Sequence, residues 1–139
     1  MVQKSRGTSL GLKILSRIGF SVATPLLAFY TSDISLEILK NYLAYTTPLV
    51  DWGDLLVDAS IAVSLGMVFW GALLFGAIGK KVDYLFIFLF TLFGFLNFYI
   101  TETVTIQMYL GLIAAIIIGN AIGFALKLLR QRFLPKWDL

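Results

Sequence analysis

Residues 55–79 read LLVDASIAVSLGMVFWGALLFGAIG, 25 residues with one charge, Asp58. A helix of that length is about 37 Å long, more than the roughly 30 Å hydrocarbon core of a bilayer. Such a run reads as a transmembrane helix, tilted or extending past the interface.

Composition agrees. Of 139 residues, 59% are hydrophobic and 14% are charged, and the mean hydropathy is +0.89. A soluble domain is nearer half apolar and a quarter charged, so a water-soluble globule, a disordered chain and a nucleic-acid binder are excluded. The length suits one helical bundle. Cys and His are both 0. Disulfides, thiolate metal sites and imidazole chemistry are therefore excluded, and no metal site or cofactor is expected.

Working toward the C-terminus, Lys80-Lys81-Val82-Asp83 reads as a turn. Residues 84–100 then carry no charge and are just long enough to cross. Residues 101–105 form a polar loop containing Glu102. The last span begins at Ile106, and its helix is expected to reach Leu129. Residues 130–139 form a basic tail.

Working toward the N-terminus, residues 33–45 place Ile34, Ile38, Tyr42 and Tyr45 on one helix face. Leu36, Leu39 and Leu43 lie beside them, and Glu37, Lys40 and Asn41 lie opposite. Asp33 can cap this helix. It carries too much charge to span, so it is expected to lie along the membrane surface or to cover the bundle. Thr46-Thr47-Pro48 ends it.

The first span is the hardest to place. Residues 18–30 form an uninterrupted apolar run of only 13, about 20 Å of helix. Adding residues 10–17 brings it to about 31 Å. Lys13 and Arg17, four residues apart on one face, are expected to snorkel to the headgroups. Pro25 is expected to kink this helix, with Ser21 or Thr24 covering the freed carbonyls. A basic start before a short apolar run also resembles a signal peptide. No A-x-A-like cleavage pattern follows Tyr30, however, and a retained span is the reading adopted. Residues 1–9 read as a flexible basic tail, with Thr8 or Ser9 capping the first helix.

The charges orient this layout. With four spans, Lys4, Arg6, Lys13, Arg17, Lys80, Lys81, Lys127, Arg130, Arg132 and Lys136 fall on one side, ten of the 11 basic residues. Asp33, Glu37, Asp51, Asp54, Asp58 and Glu102 fall on the other with Lys40. Basic residues stay cytoplasmic, so both termini are expected inside. The fold class is therefore all-α: a single bundle of four transmembrane helices at about 10–30, 55–79, 84–100 and 106–129. An amphipathic interfacial helix at 33–45 lies between the first two. Short connections are expected to make the second and third spans, and the third and fourth, antiparallel neighbours.

Several residue groups bear on function. Gly111, Ala115, Gly119 and Gly123 recur every four residues, a small-residue ladder that lets helix backbones approach closely. Its natural mate is the second span, with Gly66, Gly76 and further small residues. Asp51, Asp54 and Asp58 form one stripe. It reads as ordinary acidic decoration of a helix N-terminus, with a cation or proton entry site as the alternative. Asn97 and Asn120 read as interhelical hydrogen-bond glue, with a polar solute path through Asp54, Asp58, Asn97 and Asn120 as the alternative. The third span carries six of the 12 Phe, which suits acyl chains or a bound lipid tail. Lys127, Arg130, Arg132 and Lys136 set topology or meet anionic headgroups.

No P-loop, GxGxxG, GxSxG, HExxH or N-glycosylation sequon is present. The favoured function is non-catalytic: a membrane subunit or assembly factor in the bacterial inner membrane. Its expected partners are the lipid bilayer and a membrane protein or further copies of itself. The alternative is a small oligomeric channel or transporter. A lipid-acting enzyme ranks last, because no nucleophile–base set is evident.

Overall fold

The computed structural model describes residues 2–42, 52–100 and 106–133. The chain folds into five α-helices: α1 (Val2–Tyr30), α2 (Ser32–Tyr42), α3 (Trp52–Ile78), α4 (Lys81–Ile100) and α5 (Ile106–Phe133). Four of them, α1, α3, α4 and α5, carry stretches long and apolar enough to cross a membrane. Tyr45, expected on the surface helix, lies outside the described residues.

Helix α3 is the hub. All four other helices pack on it. Of its apolar span, 67% is buried, against 11% for α1 and 22% each for α4 and α5. A helix that is apolar all round belongs at the centre of a bundle, where every face meets protein. Helices α4 and α5 touch each other sparingly. The expectation that they would be close neighbours therefore holds only in part. They meet mainly where Tyr109 packs on Phe95 and Phe98. The small residues of α5 draw it to α3 instead.

Two apolar layers fill the bundle. One joins Leu39, Ile61, Leu65, Val68, Phe98, Met108 and Leu112. The other joins Ala72, Phe75 and Ile87, with Phe20, Phe86 and Phe90 against them. There the Phe75 ring stacks on Phe86 at 4.7 Å and meets Phe20 edge-on. The large apolar side chains left exposed, such as Leu26, Phe29, Phe88, Leu96 and Ile117, face outward, as acyl chains require.

Several boundaries differ from expectation. Helix α1 begins at Val2, so the stretch read as a tail with a cap at Thr8 or Ser9 continues the helix. Helix α5 likewise runs into the second basic tail, as far as Phe133. The Lys80–Asp83 turn is tighter than expected, because α4 already starts at Lys81.

Helix α2 nearly continues α1. Thr31 donates its N–H to Leu27 O at 2.9 Å, and Ser35 donates to Thr31 O at 3.0 Å. Helical i→i−4 bonding thus crosses the junction, because neither Thr31 nor Ser32 lacks an N–H. The Thr31 hydroxyl accepts a bond from Trp70 Nε1 of α3 at 3.0 Å, which fixes the corner. Above it, α2 packs on α3 through Ser35 and Leu39. The Ile34–Ile38–Tyr42 stripe, the apolar face read from the sequence, is exposed beside that contact. Around Pro25, the Thr24 hydroxyl bonds to Phe20 O at 2.7 Å.

Candidate functional site

Two polar clusters lie at opposite ends of α3. The first surrounds the α3–α4 turn. Gly79 has φ +69°, the left-handed conformation that ends many helices and favours glycine, and its N–H donates to Phe75 O at 2.9 Å. One residue on, Lys80 is the N-cap of α4 and Asp83 is the third residue of its first turn. The Asp83 carboxylate reaches back and accepts the Lys80 backbone N–H at 2.9 Å. This is half of a capping box, with an acid placed where the helix dipole favours it.

Asp83 has a second partner 66 residues away. Arg17 of α1 donates from Nε to Oδ1 at 3.1 Å and from Nη2 to Oδ2 at 3.0 Å. The fork is bidentate, and the two side chains are 12% and 0% exposed. Arg17 was expected to snorkel among headgroups. It is instead clamped to α4, and its Nη1 also donates to Lys13 O at 3.2 Å. From α5, Lys127 Nζ donates to Gly79 O at 3.2 Å and Arg130 Nη2 donates to Ala77 O at 3.4 Å. Cations thus meet the carbonyl end of α3, where its dipole is negative. One turn ties α1, α3, α4 and α5 together.

The second cluster lies toward the start of α3. Asn97 Nδ2 of α4 donates to Ser60 Oγ at 2.8 Å, to Ser60 O at 3.3 Å, and to Ser64 Oγ. Ser64 Oγ donates to Ser60 O at 2.8 Å. Asp58, 5% exposed, lies half a turn from Ser60. Asp54 is in the first turn of α3, but its side chain lies outside the described residues, as does all of Asp51.

Asn120 is far from Asn97. It packs against Gly76 on the opposite half of α3, where a Cβ added to Gly76 would meet Asn120 Oδ1 at 3.3 Å. Ser64 and Gly76 are separated by twelve residues, about 18 Å of helix. Val68, Ala72 and Leu112, all buried and apolar, lie along that stretch. The structure therefore does not bring Asp58, Asn97 and Asn120 onto one continuous polar path.

The small residues divide by neighbour. A Cβ on Gly119 would lie 2.6 Å from Phe69 O, and one on Gly123 would lie 2.6 Å from Leu73 O. Both glycines thus press on the α3 backbone, with Gly76 beside Gly123. Gly66 faces the other way, with an added Cβ 3.0 Å from Ala28 of α1. Gly111 and Ala115 line a cavity of about 440 Å³ beneath α2, with Ser35, Gly66 and Trp70 on its other walls.

Two features escaped the sequence reading. Gly94 packs so closely that a Cβ there would lie 2.5 Å from Val68 Cγ2. Asp83 is the buried centre of an ion pair. An acid three residues after the N-cap could have flagged the helix start, but nothing local pointed to Arg17.

The chain matches no protein-family model, no curated protein and no solved structure.

Proposed function

We propose that the chain is a non-catalytic, multi-pass subunit or accessory protein of a larger membrane complex, seated in the bacterial inner membrane with both termini cytoplasmic. The orientation rests on the distribution of basic residues. The observation that carries the functional reading is the charged face of α2. Ser35 and Leu39 turn one side of α2 to the bundle, which leaves Asp33, Glu37, Lys40 and Asn41 exposed on the other. Ser35 shares a cavity with Leu65 and Gly66, and Leu39 belongs to the layer of Ile61 and Ala62. These α3 residues lie alongside α4, which bonds α3 at Ser60 and Ser64 near its far end. On this reading the start of α2 sits beside the apolar slab, supported by its packing on the apolar part of α3.

Charge facing acyl chains is expensive, on the order of 3 kcal/mol per side chain at the bilayer centre. A polar surface on a partner subunit would offset that cost. The internal polar groups also fit a packing role, because every buried side-chain nitrogen and oxygen among the described residues has a hydrogen-bond partner.

The second reading is a small oligomeric channel or transporter, in which α2 of neighbouring copies lines a wet path and buried Asp58 stands near its mouth. Purification from the native membrane in mild detergent separates the two. A stoichiometric, larger membrane partner supports the subunit. A homo-oligomer that passes ions in liposomes supports the channel. A bare monomer contradicts both.

A further inference from the structure

Helix α1 packs on α3 and leaves an open groove against α4. The groove holds about 740 Å³ and is lined by Lys13, Arg17, Lys80 and Lys81 at its rim and by Ile18 and Phe86 deeper in. Ser21 and Phe86 also line a second cavity of about 260 Å³, whose other walls are Met67, Leu89, Phe90 and Phe93. The two are therefore successive parts of one cleft, charged at one end and apolar along its length.

Charge and length both specify an occupant. Lys13, Arg17, Lys80 and Lys81 bring four positive charges to the rim against the one negative charge of Asp83, a net positive excess. From Lys81 to Phe93 is twelve residues of α4, about 18 Å. One leaflet of hydrocarbon is about 15 Å deep, half of the bilayer core. We infer that this cleft binds one anionic phospholipid, its phosphate headgroup at Lys13, Lys80 and Lys81 and an acyl chain running past Ser21 to Phe93. Basic pockets between helices on the cytoplasmic side suit anionic headgroups in this way. The inference is independent of whether the chain has a protein partner.

The test is native mass spectrometry of the full chain titrated with phosphatidylglycerol or phosphatidylcholine. The wild type is expected to retain phosphatidylglycerol with a preference on the order of ten-fold, given the pull of each lysine near a headgroup. K13Q/K81Q is expected to lose most of that preference with its thermal unfolding unchanged. R132Q, at an exposed cation away from the cleft, is expected to keep it. S21W, which fills the junction of the two cavities, is expected to weaken retention of both lipids. It keeps the test decisive should K13Q/K81Q unfold. Excess inorganic phosphate should leave the bound lipid in place. Equal retention of the two lipids by wild type, an unchanged preference in K13Q/K81Q, full retention in S21W, an equal loss in R132Q, or displacement by phosphate would each overturn the inference. So would a photo-crosslinker at Ile18 that captures polypeptide instead of lipid.

Discussion

Arg17 and Asp83 show what one buried ion pair does in a small membrane bundle. Removing water from two charges costs several kcal/mol per ion, and the pair holds because each carboxylate oxygen accepts from the guanidinium and one also accepts the Lys80 N–H. Breaking one side leaves a buried charge with too few partners. Asp83→Ala and Arg17→Met are each expected to destabilise the protein by about 3–5 kcal/mol, and the double substitution by much less than their sum. Thermal unfolding in detergent reads this out, and additive losses would show that the pair is not coupled. The pairing was invisible in the sequence because nothing local connects residues 66 apart. What was legible was the excess of basic residues near this end, read as topology. The structure adds that Arg17, Lys127 and Arg130 each bond a specific group, of α4, of the turn and of the end of α3 respectively.

At the scale of elements, the small-residue ladder was legible because its four-residue spacing is a local pattern with one physical use. What the spacing left open was which neighbour each residue meets. Gly119 and Gly123 press on α3, whereas Gly66 meets α1. Gly94 was hidden because a lone glycine among phenylalanines has no periodicity. Gly119→Leu with Gly123→Leu forces side chains into the Phe69 and Leu73 carbonyls, and backbone cannot move aside cheaply. Folded protein recovered from membranes is expected to fall sharply. Gly11→Ala and Gly19→Ala are the contrast, because an added Cβ at either meets nothing within 4 Å. Both are expected to be neutral, or to gain up to about 1 kcal/mol from better helix propensity. Size-exclusion profiles of the three variants decide it, and tolerance of the double leucine would remove the ladder as a packing face. The chain divides into α1 and α2 where the sequence reading separated them, yet backbone bonding crosses the junction. Polar Thr31-Ser32-Asp33 looks like a break, but each residue can still donate to the helical ladder, so bonding continues across it.

At the scale of the molecule, four span-length helices, a central α3 and a polar cluster at each end of α3 make one bundle. Fold class was readable because a bilayer demands long apolar runs, and these are written directly in the chain. The contact of α3 with α5 was foreshadowed by the small residues of both helices. The ties of α3 to α1 were not, because α1 is the least apolar of the four spans and only 11% of it is buried. The proposed cytoplasmic placement of the α3–α4 turn rests on the distribution of basic residues and bears on the lipid cleft. The chain contains no cysteine, so single cysteines report without background. Asp54→Cys and Lys81→Cys, probed in sealed cells with a membrane-impermeant maleimide, test that placement most directly. The account predicts labelling at position 54 in intact cells, and at position 81 only after the membrane is opened. The reverse pattern, or both positions labelled from one side, would contradict it.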